Sequence, residues 1–216
     1  MGQINHHLSD QLLIGYAAGA LPEAFNLVVA THISLCDECR ARLGSFETVG
    51  GCLLDSGPAA SVASDALVNT LKLIAEGPKE PPKVSRNRAG NVFPTPLHDY
   101  AGSDLSAVRW RPMGGGVRQA RLATSGAATA RLLYIPGGTH IPDHGHRGTE
   151  MTLVLQGAFR DETDRFGRGD IEIADQQMQH TPVAEPGAAC ICLAATDAPL
   201  KFNSLIPRIA QPFLRI

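Results

Sequence analysis

In the first third of the chain, apolar residues recur every three or four positions. Beyond about residue 92 they gather instead into short runs bounded by turn residues. "SDQLLIGYAAGAL" offers Ser9 as an N-cap and places Leu12, Leu13, Tyr16, Ala17 and Ala20 near a period of 3.6, so it predicts a helix ending at Leu21-Pro22. Pro22 is acceptable as the first residue of a second helix, whose Phe25, Val28, Val29, His32 and Leu35 share one face. A third helix is predicted from about Cys36 to Gly50. "SVASDALVNTLKLIAEG" predicts a fourth, with Leu67, Leu71 and Ile74 on one face and Gly77 as its stop.

The pattern breaks over residues 77–91, "GPKEPPKVSRNRAGN", whose prolines and basic residues are linker composition. After it come strand-like runs: "SAVRWRPM", "VRQARLAT", "TARLLYIP", "MTLVLQGAFR", "GDIEIAD" and "AACICLAATD". No comparable helix is expected before the extreme C-terminus. The fold class is therefore multidomain α plus β: a four-helix domain over residues 1–76, a linker over 77–91, and a β-barrel of the jelly-roll type over 92–216. A length of 216 residues with 44% hydrophobic and 19% charged residues suits two globular units. The helical segment is expected to hold a core of its own. The start "MGQINHHLSD" has no signal-peptide character and no apolar run approaches the ~18 residues of a membrane span, so a cytoplasmic protein is expected.

In that compartment five cysteines point to metal or redox chemistry before disulfides. Within "THISLCDECR", His32, Cys36 and Cys39 fall at i, i+4 and i+7, which on one helix puts all three on one face. Imidazole and thiolate donors suit tetrahedral zinc, with His6 or His7 as the source of a fourth ligand. The competing reading is a buried thiol pair beside a core histidine. In the second half, His144 and His146 alternate by two and Glu150 follows four residues on, while His180 could close the set from another strand. This donor set suits zinc or another divalent transition metal. From Gly138 to Gly157 the chain matches the first cupin motif, G-x5-H-x-H-x3-E-x6-G, at every specified position. The second, G-x5-P-x-G-x2-H-x3-N, keeps Gly169 and His180, but Asp175, Gln177 and Ala184 replace its Pro, Gly and Asn. Glu172 reads as a solvated face and Cys52 as packing. Cys190 and Cys192 share a face of one strand, with Cα atoms about 6.5 Å apart, and read either as barrel-wall residues or as a redox pair.

The string "HHLSDQLLIGYAAGALPEAFNLVVATHISLCDECRA" resembles the zinc-binding anti-sigma domain, whose hallmark is H-x-x-x-C-x-x-C preceded by a distant His. With the cupin motif behind it, the whole chain is similar to ChrR-type anti-sigma factors. The resemblance implies zinc ligands at His7, His32, Cys36 and Cys39, with His6 left open, and a partner that is an ECF-type sigma factor. It also implies release by an oxidative signal, singlet oxygen or a related oxidant, sensed through the cupin.

Charge adds one constraint. Through Ser85 there are five Lys/Arg against nine Asp/Glu, net −4, and the remainder carries fourteen against twelve, net +2. An acidic helical segment disfavours direct nucleic-acid binding and fits a basic protein surface. The expected function is a regulator and not an enzyme. The rival reading is a metal-dependent cupin oxygenase or isomerase that docks through a helical zinc module.

Overall fold

Strands that read as unbroken apolar runs, such as "MTLVLQG" and "CICLAA", are buried on both faces, and something must cover each face. A computed structural model describes residues 3–77, 91–126 and 128–202 and shows what does so. The helices are α1 (Asp10–Ala17), α2 (Glu23–Ile33), α3 (Asp37–Asp55) and α4 (Ala66–Glu76), followed after residue 91 by short helical turns that include α5 (His98–Ala101). The strands are β1 (Arg111–Gly114), β2 (Val117–Arg121), β3 (Thr129–Ile135), β4 (His144–Gly145), β5 (Glu150–Gln156), β6 (Ala158–Arg160), β7 (Arg165–Gly167), β8 (Ile171–Ala174), β9 (Gln179–His180), β10 (Val183–Ala184), β11 (Cys190–Thr196) and β12 (Lys201–Phe202). They form an antiparallel six-stranded sheet in the order β1-β2-β3-β11-β5-β8, and two three-stranded sheets, β10-β6-β7 and β12-β4-β9.

Alternation along the large sheet assigns its two faces. Leu132, Met151, Leu153, Leu155, Ile171 and Leu193 belong to one buried cluster together with Ala24, Phe25, Leu27 and Val28 of α2, which lies across β3, β5 and β11. The intervening residues, among them Arg131, Leu133, Glu150, Thr152 and Cys192, line a cavity inside the barrel. The helical segment therefore shares its core with the barrel, contrary to the self-contained core expected from the sequence. Residues 78–90, nearly all of the expected linker, and the C-terminal stretch 203–216 lie outside the described residues.

The capping signals behave largely as expected. Ser9 Oγ accepts from the Leu12 N–H at 3.4 Å, while Pro22 takes the N-cap position of α2 and not its first turn. Two expectations are corrected. The third helix runs on to Asp55 and leaves Cys52 exposed, so Cys52 is not a packing residue. And α4 buries none of its residues, so the fourth helix stands apart from the three that pack together. Leu67, Val68, Leu71, Leu73 and Ile74 are all more than half exposed.

Leu153→Ala, made inside the barrel sheet, is expected to cost about 2–5 kcal/mol. It should also speed amide hydrogen exchange in α2. Unchanged α2 exchange would show that the helices do not depend on the sheet.

Candidate metal centres

The first centre does not sit on one helix. α2 stops at Ile33, Ser34 and Leu35 turn the chain, and Cys36 becomes the N-cap of α3, its Sγ accepting from the Cys39 N–H at 3.4 Å. His32 thus ends one helix while Cys36 and Cys39 begin the next, and convergence comes from the corner between them. His7 reaches in ahead of α1, with Nδ1 3.3 Å from Cys36 Sγ and 3.6 Å from Cys39 Sγ. The donor atoms of His7, His32, Cys36 and Cys39 lie within 4.8 Å of one another. Metal–ligand bonds of about 2.0–2.3 Å place tetrahedral donors roughly 3.3–3.8 Å apart, so the four residues fit a shared ion.

Electrostatics agree with that fit. Burial pushes the His32 pKa down to about 4, although the Gly169 carbonyl beside it pulls the other way, so the ring is neutral near pH 7 with lone-pair capacity to offer. Neither of its ring nitrogens makes a hydrogen bond of normal geometry. Burial, with Cys36 beside it, pushes the Cys39 thiol up to about 11, and a cation would reverse this. His6 points elsewhere: its Nε2 lies 3.1 Å from Asp164 Oδ2 and its ring packs on Phe166.

His6 belongs to a seam that the sequence did not reveal. The Asn5 and His6 N–H groups donate to Asp170 Oδ1 at 2.6 and 3.0 Å, and the Gly167 N–H donates to Asp170 Oδ2 at 2.8 Å. Asp170 is a buried carboxylate at the turn before β8. Gly169 holds φ +92°, a conformation that favours glycine, and the Ile4 side chain packs where a Cβ would stand, 2.6 Å from it. His7 is thereby fixed to the barrel as well as to the helices.

The second centre is built where β4 and β9 pair, His144 opposite His180. His180 Nε2 lies 3.2 Å from His144 Nε2 and 3.3 Å from His146 Nε2, and all three rings are buried. Each outer nitrogen faces an oxygen: His144 Nδ1 is 2.8 Å from the Pro142 carbonyl, His146 Nδ1 is 3.6 Å from Glu150 Oε2, and His180 Nδ1 is 3.1 Å from both Asp161 Oδ2 and Glu172 Oε1. Three nitrogens aimed at one point, each oriented from behind, is an arrangement that could hold a metal. Glu150 lies on the outer side of His146 and is not among the three converging donors. Burial would raise its carboxyl, but His146, His144 and Arg131 hold it below the usual range.

Glu172 corrects the sequence reading. It is buried and bonded to His180, because Ile171 and Ile173 face the helices and the residue between them must enter the barrel. Burial opposes charge on His180, yet Glu172 and Asp161 together outweigh it and raise the imidazole to about 9. Cys190 and Cys192 also point inward, with Sγ atoms 3.5 Å apart and almost no exposure. Cys190 beside it and burial both push the Cys192 thiol well up.

Comparison with known proteins fixes the family. Over 213 residues, 99% of both chains, the sequence is 60% identical to the anti-sigma-E factor ChrR of Cereibacter sphaeroides. The chain belongs to the ChrR family of anti-sigma factors. Residues 89–199 match the ChrR cupin-like domain. The fold aligns with ChrR from the crystal structure of Rhodobacter sphaeroides SigE in complex with that anti-sigma factor. There the TM-score is 0.79 and the identity 59%, over 90% of this chain and 100% of that one. ChrR proteins are regulators, which removes the ground for an enzymatic reading of the cupin. Among the described residues no helix is long and apolar enough to cross a membrane.

Because its folded pKa is raised, protonated His180 stabilises the metal-free fold fully below about 6.5, and that contribution is lost as pH rises through about 9. A metal must displace the same proton, so affinity at this centre should rise by up to tenfold per pH unit until about 9. NMR titration of the metal-free chain is expected to place the His180 midpoint near 9, and at least one unit lower in Glu172→Gln. A midpoint near 6.5 in both would mean that the carboxylates do not hold the ring.

Proposed function

We propose that this chain binds an ECF-type sigma factor through its helical segment, holds it inactive, and releases it when an oxidative signal reaches the cupin. The carrying observation is the near full-length match to an anti-sigma factor solved in complex with SigE. The bare helix α4 supports it. Five large aliphatic side chains on α4, with Val49, Leu53 and Leu54 at the end of α3, are more than half exposed, the kind of surface a protein partner covers. The net charge of −4 through Ser85 adds complementarity to a basic partner.

Within this reading the first centre is a structural zinc site of His7, His32, Cys36 and Cys39. All four positions are filled by protein, and the ion would supply folding free energy to the corner between α2 and α3. The cupin centre is a zinc or related divalent site of His144, His146 and His180, with Glu150 beside them as the fourth residue. Its bound ion would act as a Lewis acid toward whatever enters the cavity. The domains are taken as 1–76, 77–91 and 92–216, in a cytoplasmic protein without direct nucleic-acid contact. Singlet oxygen or a related oxidant is the proposed signal. Cys190 and Cys192 are close enough for oxidation to couple them, and an oxidant would reach Cys192, a wall residue, through the cavity.

Leu71→Asp together with Ile74→Asp should leave folding nearly unchanged, because both side chains are exposed, and should weaken sigma capture at least tenfold. Capture at wild-type affinity by this variant, measured by titration calorimetry with an ECF-type sigma factor that the unaltered chain binds, would remove α4 from the interface.

A further inference from the structure

The barrel encloses a cavity of about 370 Å³, and its two ends differ in chemistry. At one end Leu133, Ile135, Ile141 and Phe159 supply an apolar lining. At the other lie His144 and His180 of the triad, Glu150 and Arg131. Arg131 is out of place there by ordinary rules. It is 6% exposed, and a buried guanidinium is costly unless an anion compensates it. It makes one hydrogen bond, from a guanidinium nitrogen to Thr129 Oγ1 at 3.3 Å, and has no ion pair among the described residues. Burial accordingly pulls its pKa down, with Glu150 acting only at a distance. Glu150 is turned to His146 and Thr152 instead.

We propose that the cavity binds an apolar monocarboxylate, its carboxylate clamped by Arg131 beside the metal centre and its chain lying along Leu133, Ile135, Ile141 and Phe159. This deepens the sensory reading of the cupin and rests on it for its regulatory meaning. One guanidinium presents a planar fork that matches one carboxylate in two parallel hydrogen bonds. Glu150 lines the same cavity, so a second carboxylate on the ligand would meet an acidic neighbour and a monoanion fits better. Cross-strand register gives the site its depth: Arg131 pairs with Ala194, Ala194 with Thr152 and Thr152 with Glu172, one row across the sheet floor, while Leu133 and Cys192 form the next row inward. A cavity of ~150 Å³ takes benzene, so this one accommodates roughly ten to fifteen non-hydrogen atoms, the size of octanoate or decanoate.

The test is calorimetric titration of the metal-loaded full chain with sodium octanoate and, separately, 1-octanol, which keeps the chain length and removes the charge. Saturable octanoate binding, at least tenfold tighter than octanol, is expected. Arg131→Gln should weaken octanoate at least tenfold and leave octanol unchanged, and Leu133→Trp, which fills the apolar end, should weaken both. Octanol binding as tightly as octanoate, no saturable binding by either, or unaltered octanoate binding by Arg131→Gln would each overturn the proposal. The octanoate–octanol comparison on the unaltered chain decides the matter even if a variant fails to fold. Sigma capture measured on the same preparation keeps the two readings apart. Octanoate binding without capture removes the anti-sigma reading alone, and capture without octanoate binding removes this proposal alone.

Discussion

The six-stranded sheet must be covered on both faces, and the rest of the structure depends on how that is done. Its outward side chains need the apolar face of α2, and its inward ones enclose the cavity. Register and function are therefore the same constraint. A slip of one residue on β3, β5 or β8 would turn Arg131, Glu150 and Glu172 into the helical layer and Leu132, Leu153 and Ile171 into the barrel. Gly157 protects this arrangement where β5 turns into β6: at φ +70°, with a Cβ position 2.8 Å from the Ala189 carbonyl oxygen, it lets the corner pass against β11.

The same layering brings the two candidate metal centres to the start of one strand, β8. Asp170 and Glu172 stand two residues apart at the start of β8. The first receives the N–H groups of the segment that carries His7, and the second holds the ring of His180. Gly169, in the same turn, faces His32. The strand that carries Glu172 into the cavity is therefore led by the turn that meets His32 and the segment of His7, so under the proposed function a change in the cavity has a contiguous route to the helical centre. Coupling through such a contiguous element requires no movement of the linker.

Much of this was legible in the sequence. Helix caps, the strand runs and the candidate donors His32, Cys36, Cys39, His144 and His146 follow from spacing, which is a local property, whereas the choice of His7 over His6 came from the family resemblance and Glu150 stands outside the converging triad. What was missed is set by tertiary context. Glu172 between two isoleucines looks like a solvent-facing residue, and only the helical layer on the isoleucine side sends it inward. The His32–Cys36–Cys39 spacing looked like one helix, but the chain turns at Ser34 and Leu35, and the donors meet across the corner. Asp170 carried no motif at all. The half-kept second cupin motif was the nearest signal, since its retained Gly169 marks the turn on which the N-terminal segment rests.

We propose that the barrel completes the candidate metal centre of the helical segment through Asp170. The most direct measurement is zinc affinity at the His7, His32, Cys36 and Cys39 centre, by competition with a chelator, in the full chain and in Asp170→Ala. Loss of a group that positions a ligand typically costs 10–100-fold in metal affinity, and a loss of at least tenfold is expected here although Asp170 binds no metal itself. Equal affinities in the two chains would contradict the account.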